Sequence, residues 1–493
     1  MKKILTTAIM ILALIIGVSV AETTQAATLN INRIKNKKKV AATIRVNQTL
    51  KVRVKGKKVK KVKWKTSNKK IATISKKGIV RGKKPGKVTI SAKVKKKVYK
   101  CKIKIKKAKK EKKLSFLDVN GSMLNQGIYL TDALYEKKNI LVSPMSLNMT
   151  LGMVANGTVG DISPKAGPGT AAPDVYINPK WEVEQYLGKT TEEYNQYALD
   201  KMNDIKKDNV LKMANAVWYR EDLDISREFT EKIQKNYYAS VKKAPFNQKT
   251  LDEINGWAKE NTDGMIDKIL NEIDEYASTY ILNALLFNGK WTDEIKPNDV
   301  SNEKFTKING KKINVKMMKD EQDSYYENDY AIAFEKTYEK DQRYSFIGIL
   351  PKEKGEFRLE ELDIEGLLKK KKQGKAIVKF PKFSYKWNGE MKKALFPTSL
   401  NKLFIWRYDP LRIMFPELVE NTYVDEILQS CKIEVDEKGT KAAAVTVVIT
   451  KTAGFVITKN KEITLNRPFA YLIRDNNTGE ILFVGKVVDP AAK

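Results

Sequence analysis

The chain has 493 residues, 42% of them hydrophobic, and a formal net charge of +35, so it is long enough for more than one buried core. It contains no histidine, and no GxSxG elbow, P-loop or aspartic protease motif. Ser-His-Asp and Cys-His nucleophile systems and histidine-ligated zinc sites all need an imidazole, so the composition excludes them. We therefore expect no catalytic residue, metal or cofactor.

The first 27 residues have the pattern of a leader for export. Basic Lys2 and Lys3 precede an apolar run, and small residues Ser19 and Ala21 frame one cleavage point, while cleavage after Ala26 or Ala27 stays open. This order is typical of a secretory signal peptide over residues 1–27. The alternative is a retained membrane anchor, because the apolar run is about 18 residues long. The sequence thus predicts a secreted, extracellular protein, either free or associated with the cell wall.

Residues 28–107 predict a small, strongly basic β-sandwich. Residues 28–113 hold 36 Lys and Arg residues and one acid, Glu111, so the rest of the chain is close to neutral. Segments such as KVTISAKVKK and YKCKIKIKK alternate apolar side chains with lysine, as half-buried strands do. Two cysteines, Cys101 and Cys431, are too few for a disulfide framework, and the strand pattern around Cys101 indicates a buried thiol.

The same region resembles the bacterial Ig-like group 2 domain. Its matching residues are Trp64, Ser67-Asn68, Ile71-Ala72, Gly78 and Gly86. The resemblance implies an exported spacer or adhesion module. Its lysines are either a solubilising surface or a binding surface for a polyanion, which outside the cell would be an anionic wall polymer or polysaccharide and not nucleic acid. Residues 108–113 form a charged linker.

Residues 114–493 mix helical and strand patterns and predict an α+β domain on antiparallel sheets. MKKALFPTSL (391–400) and ELDIEGLLKKKK (361–372) favour helix, and residues 157–181 favour a loop because they are rich in Gly and Pro. The segments YILNALLFNG, YSFIGILP and GEILFVGKVV favour strands.

Several blocks of this region, in order, resemble the serpin family of serine protease inhibitors. They are NILVSPMSL, NAVWYR, INGWAKENTDGMI, ILNALLFNGKW, LPKEKG, FPKFS and LNRPFAYLIRDNNTGEILFVGKVVDP. The resemblance spans essentially all of residues 114–493. It implies the serpin fold, with an exposed reactive-centre loop at about residues 437–459.

EKGTKAAAV (437–445) resembles the hinge of inhibitory serpins. The resemblance implies that a serine or cysteine protease cuts the loop and becomes acylated to it, and that the loop then inserts into the main sheet and traps the enzyme. Family spacing from Glu437 places the reactive bond at Ala453–Gly454, which implies an elastase-like or subtilisin-like target with a preference for small residues. The loop is longer than usual, so cleavage at Lys451, Phe455 or Lys459 stays open. The hinge residues so assigned are Glu437, Gly439, Thr440, Ala442, Ala443 and Ala444.

The alternation of side chains is compatible with insertion. Residues 440, 442, 444, 446, 448 and 450 would share one face of a strand and carry no charge, while Lys441 and Lys451 would share the other. Neither lysine then needs to be buried. Burial of an unpaired charge would cost several kcal/mol. The alternative for this pattern alone is an ordinary exposed strand.

The resemblance also implies a polar network beneath the sheet that governs its opening. Gln429 stands where many serpins have a histidine, and its expected partners are Ser143, Ser146 and Asn283; Trp291 matches the tryptophan that follows the central strand. We expect a monomer. The sequence thus predicts a protease inhibitor and not an enzyme. The first rival hypothesis is a serpin-shaped adhesion or scaffold protein that no longer inhibits. The second rival is an enzyme, and the absence of histidine argues against it.

Overall fold

The computed structural model describes residues 28–31, 40–45, 49–54, 62–95, 97–106, 119–161, 177–274, 277–405, 408–418, 422–440 and 460–492. The chain divides into two compact units, Met1–Glu111 and Lys112–Lys493. Among the described residues, no helix is both long and apolar enough to cross a membrane. Cys101 and Cys431 are both free and buried.

The first unit is built from two four-stranded sheets, which confirms the predicted all-β fold. One sheet has the order β1, β3, β6, β5, and the other has the order β2, β8, β7, β4. Their buried faces share one apolar core, to which Val52 and Val80 contribute from one sheet and Ile90 and Ile103 from the other. The strands are β1 (Thr28–Asn30), β2 (Val40–Arg45), β3 (Thr49–Arg53), β4 (Lys63–Thr66), β5 (Ala72–Ile74), β6 (Ile79–Gly82), β7 (Gly86–Val94) and β8 (Lys97–Lys106).

The second unit has helices and mainly antiparallel sheets, with parallel pairs at the edge strands β11 and β22, so the predicted α+β class is confirmed. The α-helices are α1 (Met123–Ala133), α2 (Pro144–Gly157), α3 (Pro179–Leu187), α4 (Thr191–Ile205), α5 (Arg227–Tyr237), α6 (Gln248–Asn261), α7 (Ile364–Leu368) and α8 (Lys392–Leu395). The 3₁₀ helices are Pro297–Asp299, Leu359–Leu362 and Ser399–Phe404.

The strands of this unit begin with β9 before helix α2 and end with β24 near the C-terminus. They are β9 (Ile140–Val142), β10 (Leu211–Arg220), β11 (Ser240–Ala244), β12 (Thr279–Phe287), β13 (Gly289–Lys290), β14 (Val300–Thr306), β15 (Lys312–Glu327), β16 (Ala331–Tyr338), β17 (Tyr344–Pro351), β18 (Lys371–Pro381), β19 (Phe383–Glu390), β20 (Leu428–Val435), β21 (Gly439–Thr440), β22 (Lys461–Thr464), β23 (Phe469–Asp475) and β24 (Ile481–Val487).

Three local expectations need different boundaries. The helix predicted over 361–372 ends at Leu368, because the chain enters strand β18 at Lys371 and pairs there with β15. The helix predicted over 391–400 is only one turn, with Pro397 separating it from the 3₁₀ turn that follows. The loop predicted over 157–181 ends earlier, because Asn178 caps helix α3 and Pro179 occupies its first position.

The largest sheet has the order β22, β18, β15, β16, β17, β23, β24, β9, with β14 paired to β15. All eight residues of β17 are buried. Stacked aromatic rings, including Phe346 on Tyr471 at 5.4 Å between centroids, fill the core on one side of it. Every neighbouring pair in this order is joined by a ladder, the shortest being the two residue pairs between β15 and β16.

The interrupted sheet consists of a three-stranded part, β11, β10, β12, and a four-stranded part, β13, β21, β20, β19. Among the described residues, no backbone ladder joins β12 to β20. Among the described residues, strand pairing joins the two parts where β12 continues into β13, since β21 pairs antiparallel with both β13 and β20. Strands β12 and β20 therefore run in the same direction, and a strand between them would be antiparallel to both.

Candidate functional site

The site is the turn that follows strand β20 and turns the chain back between the two parts of the interrupted sheet. Asp436 organises this turn: its Oδ1 accepts hydrogen bonds from the backbone N–H of Lys438 at 2.8 Å and of Gly439 at 3.2 Å. Aspartate and glycine are the residues that such a turn favours. Gly439 has φ +155°, and a Cβ there would lie 2.2 Å from the carbonyl oxygen of Gly289, so the close approach requires glycine.

Trp291 anchors the turn from the opposite strand. Its backbone N–H donates to the carbonyl of Lys438 at 2.9 Å, and its indole Nε1–H donates to the carbonyl of Asp436 at 2.8 Å. The indole stacks on the ring of Tyr338, with 4.4 Å between centroids and 16° between planes. Trp291, predicted as part of the opening network, thus holds the start of the hinge and does not contact Gln429 through any described hydrogen bond.

Glu437, the first predicted hinge residue, is tied to the neighbouring strand. Its carboxylate pairs with Lys382, and this hydrogen bond lowers the pKa of Glu437 below its usual range. Its carbonyl accepts from the N–H of Ile295 at 2.8 Å. The turn is therefore fixed by contacts on both of its sides.

Thr440 lies at the top of the gap between the two parts of the sheet. It is 2% exposed, pairs with Gly289 on one side and Val435 on the other, and shares a hydrogen bond of 2.7 Å with the hydroxyl of Tyr338. Its side chain therefore points to the protein interior. The remaining predicted hinge and bond residues, Ala442, Ala443, Ala444, Ala453 and Gly454, lie outside the described residues.

Further down the gap, Gln429 of β20 clamps the start of helix α2. Its Oε1 accepts from the backbone N–H of Ser143 at 2.9 Å, and its Nε2 donates to the carbonyl of Ser143 at 2.8 Å. The Ser143 hydroxyl donates to the carbonyl of Leu482 and accepts from the N–H of Ser146 at 3.1 Å, which caps the helix. Ser146 thus joins the network through Ser143 and not through its own side chain.

Asn283 of β12 belongs to a separate cluster on the other side of the gap. The expected hydrogen bond between Asn283 and Gln429 is absent among the described residues, so that expectation was wrong. Its Nδ2 donates to Oδ1 of Asn215 at 2.7 Å, and Asn215 donates to the carbonyl of Tyr237. Asn215 and Asn283 are directly opposite on β10 and β12. The missing ladder between β12 and β20 separates the two clusters. The buried Oδ1 of Asn283 accepts no hydrogen bond from any described residue.

Sequence reasoning missed three residues of the site. Asp436 could have been found from its turn pattern, D-x-x-G. Tyr338 and Asn215 could not, because their roles depend on which strands become neighbours. Within the described ranges, no group of three or more His, Cys, Asp or Glu side chains could hold a metal ion. Among the described residues, the site thus leaves the facing edges of β12 and β20 without a ladder between them, below the short strand β21.

Comparison with known proteins gives a consistent assignment. The model of the serpin (serine protease inhibitor) family matches residues 125–490, and the model of the bacterial Ig-like domain (group 2) matches residues 30–105. The chain therefore belongs to the serpin family and carries an N-terminal bacterial Ig-like domain, as the sequence predicted.

Two curated relatives and one solved structure illustrate the similarity. An uncharacterized serpin-like protein of Thermococcus kodakarensis is 27% identical over 71% of this chain and 81% of its own length. Human neuroserpin is 24% identical over 72% of this chain and 87% of its own. The native-state crystal structure of tengpin, a thermophilic serpin, superposes with a TM-score of 0.66 and 30% identity, over 78% of this chain and 96% of that one.

Proposed function

We propose that the protein is a suicide inhibitor of serine proteases and, more widely, of cysteine proteases that cut the same loop. The observation that carries the proposal is the position of Thr440, whose side chain is buried between the two parts of the interrupted sheet. The hinge thus starts on the path that insertion would follow. The rest of the loop, residues 441–459, is the proposed bait, with Ala453–Gly454 as the reactive bond.

The existing register fixes how an inserted strand would continue. If it extends the pairs that Thr440 makes, Ala442 comes opposite Phe287 and Ile433, which face the core and are buried. Ala444 comes opposite Leu285 and Cys431. Small alanines at these positions would enter the gap between β12 and β20, called the slot below, without displacing large side chains.

The same register brings Thr446 opposite both Asn283 and Gln429. A threonine hydroxyl can donate to the Asn283 Oδ1, which has no donor among the described residues. Insertion would then join the two polar clusters that the gap separates.

New backbone hydrogen bonds would supply the free energy that drives insertion of the cleaved loop. Roughly a dozen new ladder hydrogen bonds at about 1 kcal/mol each would form along the slot. Fourteen extended residues from Thr440 to Ala453 span about 45 Å, at roughly 3.4 Å per residue, which would carry an acylated protease across the domain.

The test is incubation of the full chain with a panel of secreted proteases, including elastase-like and subtilisin-like enzymes, followed by denaturing electrophoresis. We expect a band that survives boiling in SDS, at the summed mass of the protease and the chain less the C-terminal peptide that the cut releases. The same protease with its nucleophilic serine changed to alanine should give no such band, because it cannot form the ester. Cleaved protein together with fully active protease, for every enzyme in the panel, would contradict inhibition.

Mass spectrometry of the released C-terminal peptide locates the bond. A new end at Gly454 supports a target that prefers small residues. A cut after Lys451 or Lys459 would replace it with a trypsin-like target, and a cut after Phe455 with a chymotrypsin-like one.

The second candidate function is an adhesion or scaffold protein with the same fold and no inhibition. The uncharged hinge face argues against it, because a loop that never inserts has no need for small residues at alternate positions. Cleavage at the predicted bond without any change in stability or any covalent complex would favour this candidate.

We also propose that the protein is exported and monomeric, and that its Ig-like domain tethers it to an anionic wall polymer or polysaccharide. The support is the concentration of positive charge in residues 28–113, which carry one acid. Retention of the full chain on such a polymer, with retention that falls as salt rises, tests the tether.

A further inference from the structure

Among the described strand positions of the Ig-like domain, the lysines are concentrated on one of its two sheets. The outward positions of β4, β7 and β8 carry seven exposed lysines, which we call the lysine face. They are Lys63, Lys65, Lys87, Lys93, Lys100, Lys102 and Lys104. The described outward positions of the other sheet carry three cations, Lys51, Arg53 and Arg81. Each face also has one exposed apolar side chain, Ile79 on this sheet and Val98 on the lysine face.

The register of the strands places like charges side by side. Lys87 is directly opposite Lys104, and Lys63 is directly opposite Lys93. Like charges in directly opposite positions destabilise a sheet. A surface needed only for solubility could avoid these pairs by distributing its lysines over both sheets, so the arrangement indicates a ligand of opposite charge.

Strand β8 forms the central row of the face. Lys100, Lys102 and Lys104 occupy alternate positions, so they project from the same side at intervals of about 6.7 Å. Thr89 and Ser91 of β7 lie opposite Lys102 and Lys100 and add hydroxyl donors beside the row. The result is a straight line of cations with polar groups along one side.

We propose that the lysine face binds a linear polyphosphodiester of the glycerol phosphate type, lying along β8 with successive phosphates at successive lysines. This inference rests on the proposed tether and specifies its surface and ligand. A short diol phosphate unit carries one negative charge per repeat, at a spacing close to that of alternate strand residues. An acidic polysaccharide built of disaccharide units places its carboxylates farther apart and on a stiffer chain, so fewer of them would meet the row.

The test measures binding of the full chain to synthetic poly(glycerol phosphate) at several salt concentrations. The variant Lys100→Gln/Lys102→Gln/Lys104→Gln removes the central row. The matched control Lys69→Gln/Lys76→Gln/Lys77→Gln removes three exposed lysines from turns outside the face. A third variant, with arginine at positions 100, 102 and 104, keeps the charge. Circular dichroism and thermal unfolding check that each variant is folded.

We expect the central-row variant to bind at least about tenfold more weakly at low salt, since each surface lysine contributes measurably to attraction by a polyanion. Its plot of log affinity against log salt should flatten by about two to three units, because three phosphate contacts are lost. The turn control should lose much less, and the arginine variant should retain binding.

Each other outcome is informative. Equal losses in the central-row and turn variants would overturn the assignment of the face while leaving the tether intact. Binding to hyaluronate, which carries one carboxylate per disaccharide, as tight as to poly(glycerol phosphate) would overturn the choice of ligand class. No retention of the unmodified chain on either polymer would contradict the tether itself, and the inference with it.

Discussion

The two large sheets of the serpin unit differ in one respect that matters for function. The sheet from β22 to β9 is paired from strand to strand along its whole order, with strands such as β17 buried along their whole length. The other sheet is interrupted between β12 and β20, whose ladder edges face each other without pairing among the described residues. A further strand could join the first sheet only at an edge, whereas the gap in the second sheet has an unpaired edge on both sides and the direction for a strand antiparallel to both.

The hinge turn lies at the upper end of the gap between β12 and β20. Asp436, Gly439 and Trp291 fix the turn at the upper end of the slot, and Thr440 already occupies its first position. Under the proposed function, the interrupted sheet would change conformation by accepting the loop, and the other sheet would keep its strand pairing. Substitutions at the hinge and in the paired sheet test this difference.

The largest effect is expected from Thr440→Arg. Thr440 is 2% exposed, so an arginine must be desolvated without a partner or held out of the slot, at a cost of several kcal/mol. Because about 1.4 kcal/mol on a barrier is already tenfold in rate, insertion should lose to hydrolysis of the acyl bond. The ratio of covalent complex to cleaved protein should fall at least about tenfold.

Lys441→Arg is the matched control for this change. It lies one residue on, at a position assigned to the outer face, and should leave the ratio near that of the unmodified protein. If Thr440→Arg still traps protease at the unmodified ratio, either the strand parity or the insertion mechanism is wrong.

Gly439→Val should break the hinge turn. Its Cβ would collide with the Gly289 carbonyl at 2.2 Å, and φ +155° is unfavourable for a β-branched residue. We expect a loss of about 2–3 kcal/mol in the free energy of unfolding, measured by chemical denaturation. Gly256→Ala in helix α6 is the control: its Cβ would meet no atom within 4 Å, and stability should rise by about 0.5–1 kcal/mol. A Gly439→Val variant as stable as the unmodified protein would show that the turn does not constrain position 439.

Tyr338→Phe removes the hydroxyl that binds Thr440 and keeps the ring that stacks on Trp291. A buried Thr440 hydroxyl without its partner should cost about 1–2 kcal/mol in unfolding free energy. Adding Thr440→Val should recover most of that loss, because neither buried group then needs a partner. A double variant as unstable as the sum of the single ones would mean that the two hydroxyls are not coupled.

The smallest effect concerns the acid stability of the sheet from β22 to β9. Hydrogen bonds from Lys352, then Lys372 and Lys461, lower the pKa of Glu327 to about 2. Because the folded pKa lies below the unfolded one, this carboxylate stabilises the fold above about pH 4.5 and loses its contribution as the pH falls towards 2. Urea denaturation of Glu327→Gln should give a free energy of unfolding about 1–2 kcal/mol lower than that of the unmodified protein at pH 6. The plot of unfolding free energy against pH should also be flatter for the variant below pH 4.5. A parallel profile for both proteins would contradict this role.

Much of the fold was accessible from the sequence, for local reasons. Strands such as β7 and β8 alternate apolar and charged residues because one face is buried, and that period is visible without any structure. The helix predicted over 361–372 failed at its end, since lysine favours helix locally but the pairing of β18 with β15 decides its conformation.

The polar residues of the site show the limit of such reasoning. Ser143 and Gln429 were grouped correctly, and their contact is present as two hydrogen bonds. Asn283 was assigned to the same group, but its neighbour is Asn215, which sits across a strand pair that no sequence pattern reveals. Tyr338 likewise becomes part of the hinge only through the tertiary stacking on Trp291.

The most direct test of the account is the stability of the protein before and after a single cut within residues 451–459, with the cut position checked by mass spectrometry. If the interrupted sheet accepts the cleaved loop, roughly ten new hydrogen bonds at about 1 kcal/mol each should raise the free energy of unfolding and the unfolding temperature markedly. The Thr440→Arg variant, cut in the same way, should gain less. A cut protein that is no more stable than the intact one would show that the slot between β12 and β20 does not accept a strand.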